Sequence, residues 1–256
     1  MIRKIVKHVL LDILRGRVAL CYTAFLFLAT AGLFNMDADT GKSLTSILSV
    51  VLMLVPLTCL IFATIHYYNS YEFIELLSTQ PLRRNVILMG EYLGVSIALT
   101  IALLVGTGLP VAAYDRSVTG GFILLAGVLL TFVFVALAFL GAVCSRDKAR
   151  GMGVAMLQWF FFALLYDGLL LLILFSFQDY PLEKAVIGLV ALNPIDLART
   201  FVMLQMDVSA LLGMTGAVMQ EFFGSSLGMA YALGVLLLWI IAPLWLALRI
   251  FRKKDL

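Results

Sequence analysis

Residues Tyr71–Gly94 read YEFIELLSTQPLRRNVILMGEYLG, following one apolar run at about 44–68 and leading into a second at about 86–113. A helix needs roughly 20 mostly apolar residues to cross the hydrocarbon core of a bilayer. Both runs are long enough, so the charges between them belong in water or against a partner at a membrane surface. Pro81 divides the stretch. Before it, Phe73, Ile74, Leu76 and Leu77 are interleaved with Glu72 and Glu75, a mixed surface suited to a short interfacial helix. Residues before a proline are biased away from helix, which predicts a helix end near Thr79 or Gln80. Arg83 and Arg84 follow, and a second helix is expected from Pro81 or soon after.

The rest of the chain extends this pattern. Hydrophobic residues make up 63% and charged residues 13% of 256, against about 25% charged in an ordinary soluble domain. Mean hydropathy is +1.07. Six segments can span: about 18–34, 44–68, 86–113, 121–142, 152–177 and 228–249. The third is long enough to tilt or break. In lipid every backbone polar group must be satisfied internally, so continuous runs of this length mean helices. The expected fold is all-α and integral to the membrane, with 1–256 as one transmembrane domain. With both termini in the cytoplasm, fourteen of the eighteen Lys and Arg residues fall on the inner side, the arrangement favoured by the positive-inside rule. The net charge of +3 then reflects orientation, and nucleic acid is not an expected partner.

Residues 1–17, MIRKIVKHVLLDILRGR, place Ile2, Ile5, Val6, Val9, Leu10, Ile13 and Leu14 on one helical face, with Arg3, Lys4, Lys7 and Arg15 mostly on the other. That period predicts an amphipathic helix in the membrane surface. The competing reading, a signal peptide, is disfavoured by charges inside its apolar core and by the lack of an A-x-A cleavage site. Cys21, Cys59 and Cys144 are isolated and form no C-x-x-C, so no extracellular disulfide is expected.

The longest stretch between spans, about 178–227, falls outside. It holds apolar runs at 185–192 and 197–204, broken by Asn193-Pro194, with Asp196 near the start of the next helix. Proline at an early position with an acid close by is a usual helix start. Asp207-Val208-Ser209 offers another start, and Gly224-Ser225-Ser226 closes the region. Two or three short helices packed on the outer surface are expected, because short helices are marginal alone.

The Glu, Leu-Leu, Pro, Arg and Gly pattern of Tyr71–Gly94 resembles the coupling segment of type-2 ABC exporter permeases. The string ALNPIDLARTFVMLQMDVSALLGMTGAV, Ala191–Val218, is similar to the outer segment of the NosY family of that class. Chain length and six spans fit as well, so the resemblance covers nearly the whole chain. It implies an ATPase-coupling segment at 69–85 that includes Glu72, Glu75, Leu76, Leu77, Pro81, Arg83 and Arg84. It implies a homodimer on two cytoplasmic ATPase subunits, which would bind ATP and magnesium, with no cofactor in this chain. It implies residence in a bacterial inner membrane and a part in assembling the copper centre of nitrous oxide reductase. A periplasmic β-helix partner is implied too, with Asn193, Pro194, Asp196, Arg199, Met203, Met206 and Asp207 as its expected contacts. Gly90-Glu91 departs from the Gly-Lys of many related permeases, which opens the charge pattern facing the ATPase.

Enzymatic chemistry finds little purchase. His8 and His66 are the two histidines, both expected on the inner side without an acidic cluster. No H-E-x-x-H or Walker A motif occurs, so ATP hydrolysis would fall to another subunit. Asp167, in LLYDGLL, is the main intramembrane ionisable residue and such residues mark function by default. A structural hydrogen bond to a neighbouring helix and a part in conformational change are both open for it. Met203 and Met206 are three apart on one helix face. Thioethers suit Cu(I), yet Met is also an adaptable packing residue, and no metal site is assigned. Arg83 and Arg84 could serve as topology determinants alone, but that leaves the glutamates, leucines and proline unexplained. Three rivals to the maturation permease stay open: an exporter of a solute, a non-ABC membrane scaffold, and an intramembrane enzyme requiring Asp167.

Overall fold

The structure is a computed structural model, described here for residues 2–36, 39–78, 83–115, 117–177, 183–203, 205 and 226–253. No strand occurs among them. The helices are α1 (Ile2–Arg15), α2 (Arg17–Met36), α3 (Thr40–Asn69), α4 (Tyr71–Ser78), α5 (Arg84–Leu103), α6 (Leu109–Tyr114), α7 (Val118–Cys144), α8 (Lys148–Phe160), α9 (Tyr166–Ser176), α10 (Glu183–Ala191), α11 (Pro194–Met203) and α12 (Ser226–Lys253). Two π turns, Leu104–Gly108 and Phe161–Leu165, join α5 to α6 and α8 to α9.

Six helical stretches are long and apolar enough to cross a membrane: Arg17–Met36, Thr40–Asn69, Arg84–Tyr114, Val118–Cys144, Lys148–Ser176 and Gly228–Lys253. They contain the six expected segments almost entirely and mostly run a few residues further at each end. At 30 residues, α3 is about 45 Å long, more than the roughly 30 Å core requires. The third span, expected to tilt or break, carries a π turn and then Pro110 at the start of α6. A proline lacks its N–H, and the wider turn before it absorbs the change of register.

Local chemistry sets the boundaries. Asp39 accepts from Gly41 N at 3.0 Å ahead of α3, and Asp147 accepts from Arg150 N at 2.8 Å ahead of α8. Such caps satisfy amides that the first turn leaves orphaned. The central element is α7, with 67% of its apolar window buried, whereas the fifth span has 6% buried. The inside of α7 meets α3, α5, α11 and α12. Spans one and three cross closely because of Gly106. A Cβ there would stand 2.9 Å from the Thr23 carbonyl oxygen and 2.7 Å from Leu26 Cβ, so any side chain would push the helices apart.

The N-terminal helix forms with the expected period and also packs against the protein. Ile5, Val9 and Ile13 are buried, and the helix packs along the start of α5. Gly90 and Gly94 form the seat: a Cβ at Gly90 would meet Ile5 Cγ2 at 2.7 Å, and one at Gly94 would meet Val9 Cγ1 at 2.6 Å. This close approach of small residues four apart is a habit of membrane helix packing. Part of the face expected to enter lipid is therefore taken up by protein.

Candidate functional site

The Lys- and Arg-rich end of the bundle carries the expected coupling segment. α4 spans Tyr71–Ser78, and Pro81 lies outside the described residues. Ile74 is fully buried and Leu77 nearly so, while Leu76 is 59% exposed. Glu72 and Glu75 are exposed as well. The 3.6-residue period thus divides α4 cleanly: Ile74 and Leu77 anchor it, and Glu72, Glu75 and Leu76 point away. Of the expected coupling residues that are described, Leu77 is the one that is buried. Arg83 is exposed in extended backbone just before α5, and Arg84 opens that helix half-buried. Phe73 lies 5.4 Å from the His8 ring of α1, centroid to centroid. With α1 seated on Gly90 and Gly94, α1, α4 and the start of α5 interlock as one packed unit.

Glu91 does not face outward. It is 1% exposed, and its Oε2 lies 3.0 Å from Nε2 of His66 on α3, which is 10% exposed. Ser70 Oγ is 3.3 Å from the same nitrogen. The pair ties spans two and three together just inside the membrane from α4. His66 thus has a single acidic neighbour, and Glu91 is buried beside it and does not face outward. Single polar residues at similar depth in two consecutive apolar spans were the available signal.

The opposite end holds the second cluster, built on α10, α11 and the π turn of the fifth span. Asn193 precedes Pro194 and is fully buried. Its Oδ1 accepts from Ile195 N at 3.0 Å, capping α11. Its Nδ2 donates to Phe162 O at 2.9 Å and to Asp196 Oδ2 at 2.8 Å. Phe162 belongs to the π turn, a rare geometry that disturbs the i→i−4 ladder, and Asn193 supplies its carbonyl with a donor. Tyr166 Oη donates to Leu189 O at 2.6 Å, and Trp239 Nε1 donates to Ala191 O at 3.0 Å. The α10–α11 hairpin is thereby held to the fifth and sixth spans through its own backbone carbonyls.

Arg199 completes the cluster. Its Nη1 lies 3.1 Å from Asp167 Oδ2 and 3.3 Å from Asp196 Oδ1. Two carboxylates thus share one guanidinium. Burial pushes the Asp196 carboxyl up to about 7, the nearby Asp167 adds to the rise, and Arg199 and Asn193 oppose it. Like-charged carboxylates at one site drive at least one toward its protonated form. Asp167, for which a bond to a neighbouring element was one reading, bridges the fifth span to α11.

The expected periplasmic contacts divide. Asn193, Pro194 and Asp196 are buried within the chain, while Arg199 and Met203 are part-exposed. Met206 and Asp207 lie outside the described residues. The NPxDxAR string therefore does internal structural work: cap, first helical residue, shared carboxylate and bridging arginine.

A six-span helical subunit with an outward-facing acidic helix at one end and a sutured hairpin at the other has the layout of a transport-complex permease. The family described as "ABC-2 family transporter protein" matches residues 72–256, and the chain belongs to that family. It is 30% identical over 274 aligned positions to the "Probable ABC transporter permease protein NosY" of Pseudomonas aeruginosa PAO1, covering 98% of both chains. It is 29% identical over 226 positions to the protein of the same name from Stutzerimonas stutzeri, covering 83% of this chain and 80% of the relative. These relatives are ABC permease subunits by name, and the family implies a separate ATPase partner.

Proposed function

We propose that this chain is the membrane subunit of an ATP-driven complex that remodels a periplasmic partner during assembly of the copper centre of nitrous oxide reductase. The observation that carries this reading is the division of α4. Glu72, Glu75 and Leu76 point away from a helix whose other face, Ile74 and Leu77, is locked to the bundle. A surface of that kind can receive force from a docked protein and pass it inward. Similarity to NosY permeases over nearly the full length supports the specific pathway.

In this reading both termini and α4 are cytoplasmic, α10–α11 is periplasmic, and two copies of the chain sit on two ATPase subunits in a bacterial inner membrane. Closure of the ATPases on ATP displaces α4, and α1 and the start of α5 move with it. Aromatic contacts give a packed route across the bundle. Tyr92 of α5 lies 6.1 Å from Phe139 of α7, and Phe122 at the other end of α7 lies 5.5 Å from Phe201 of α11. The hairpin then changes its affinity for a β-helix partner. Such a shift requires contacts that differ between the two states. The Arg199 bridge, with two carboxylates competing for it, is the part of the hairpin best suited to rearrange.

Native purification from the membrane followed by mass spectrometry tests this. An ATPase and a periplasmic β-helix protein in the complex support it. An ATPase alone, with hydrolysis stimulated by a solute, moves the function to export. Neither protein, with the chain intact, leaves a membrane scaffold.

A further inference from the structure

We propose that the groove beneath the N-terminal helix is a binding site for one phospholipid with a primary-amine headgroup, from the leaflet at the Lys- and Arg-rich end. The groove encloses about 350 Å³ between α1, α2, α3 and α5. That volume lies in the range of small-molecule sites, about 300–1,000 Å³. One face of α3 runs its length, from Leu57 through Ile61 to Asn69. The twelve helical steps from Leu57 to Asn69 cover about 18 Å, more than half of the roughly 30 Å hydrocarbon core. Leu99 of α5 closes part of the wall.

The charged group, Asp12, is confined to the end nearest the membrane surface, while Tyr22 and Thr58 are the polar residues deeper in the lining. Asp12 of α1 stands there with His66 and Asn69 of α3. His66 Nε2 is engaged by Glu91. Asn69 Oδ1 accepts from Lys148 Nζ at 3.0 Å. The mouth therefore offers a carboxylate from α1 and an ammonium held beside Asn69. A headgroup carrying an ammonium and a phosphate is complementary to that pair, with its ammonium donating to Asp12 and its phosphate near Lys148 and the Asn69 amide. A primary ammonium can donate hydrogen bonds to a carboxylate, which a quaternary one cannot, and charge-assisted bonds of this kind are the strong ones. The apolar depth receives an acyl chain.

The full chain is purified into nanodiscs containing phosphatidylethanolamine and phosphatidylglycerol in equal amounts, and native mass spectrometry reads the lipid that stays bound. Expected is one phosphatidylethanolamine per chain. Asp12→Asn should lower its retention about tenfold, the worth of a lost charge-assisted bond. Ile61→Trp should lower it by filling the groove. Asp12 is exposed, so its variant should keep the wild-type unfolding temperature. Equal retention of the two lipids, or retention unchanged in both variants, overturns the proposal. So does disulfide cross-linking of Ile61→Cys between two chains in native membranes, because the groove would then face a second copy.

Discussion

Replacing Asn193 tests the far-end cluster through the residue with the most connections. Its side chain makes three hydrogen bonds and has no exposed surface. Asn193→Ala removes the cap of α11, worth about 1 kcal/mol. It also leaves Phe162 O and Asp196 Oδ2 without their donor, at about 1–3 kcal/mol for each buried group left unsatisfied. The sum is about 3–7 kcal/mol, or a fall of roughly 10–20 °C in unfolding temperature for a chain of this size. Asn193→Asp discriminates between the two contributions. Aspartate caps a helix as well as asparagine, but it cannot donate and it sets a carboxylate beside Asp196. Thermal unfolding of the purified protein should therefore show Asn193→Asp at least as destabilised as Asn193→Ala. If aspartate restores wild-type stability, capping alone explains Asn193 and the suture to the π turn carries no weight.

Three more outcomes are expected. Gly94→Leu should expel α1 from its seat, because even a Cβ meets Val9 at 2.6 Å; overpacking of this kind costs about 1–3 kcal/mol, and limited proteolysis should then cleave within residues 2–15. His66→Ala strands Glu91 in the interior and should cost about 3–5 kcal/mol, whereas the double change His66→Leu with Glu91→Met should recover most of it in thermal unfolding. For Asp196, the folded carboxyl titrates near 7 against an ordinary 3.8. The folded state therefore holds this proton more tightly, and its stabilising effect is complete below the ordinary value and lost as pH rises through the raised one. Unfolding temperature should fall between about pH 4 and 7, and Asp196→Asn should flatten that slope.

The spans were legible because a bilayer demands long uninterrupted apolar runs, a requirement met by composition without reference to any contact. The helix end expected near Thr79 or Gln80, ahead of Pro81, lies outside the described residues. The period of α1 was equally plain, but period does not name the surface that an apolar face meets. Gly90 and Gly94 in GEYLG carried that information, as a pair of small residues four apart on a membrane helix. His66 and Glu91 are 25 positions apart, and only the crossing of spans two and three brings them together. Asn193 showed as a helix start in Asn-Pro, whereas its bonds to Phe162 depend on a π turn with no local signature in FFALL. Part of the string that marked the outer segment was read as a partner surface, and among its described residues Asn193, Pro194 and Asp196 lie inside, where Asn193 and Asp196 bond one another.

The central claim is that nucleotide state at the α4 face is felt at the α10–α11 hairpin. Hydrogen exchange of the amides in 183–203, measured on the complex with its ATPase with and without ATP and magnesium, addresses it directly. Exchange there should change with nucleotide, and Glu72→Lys with Glu75→Lys should abolish the change while leaving the unfolding temperature of this chain intact. Identical exchange in both nucleotide states, with the ATPase bound and active, would contradict the account.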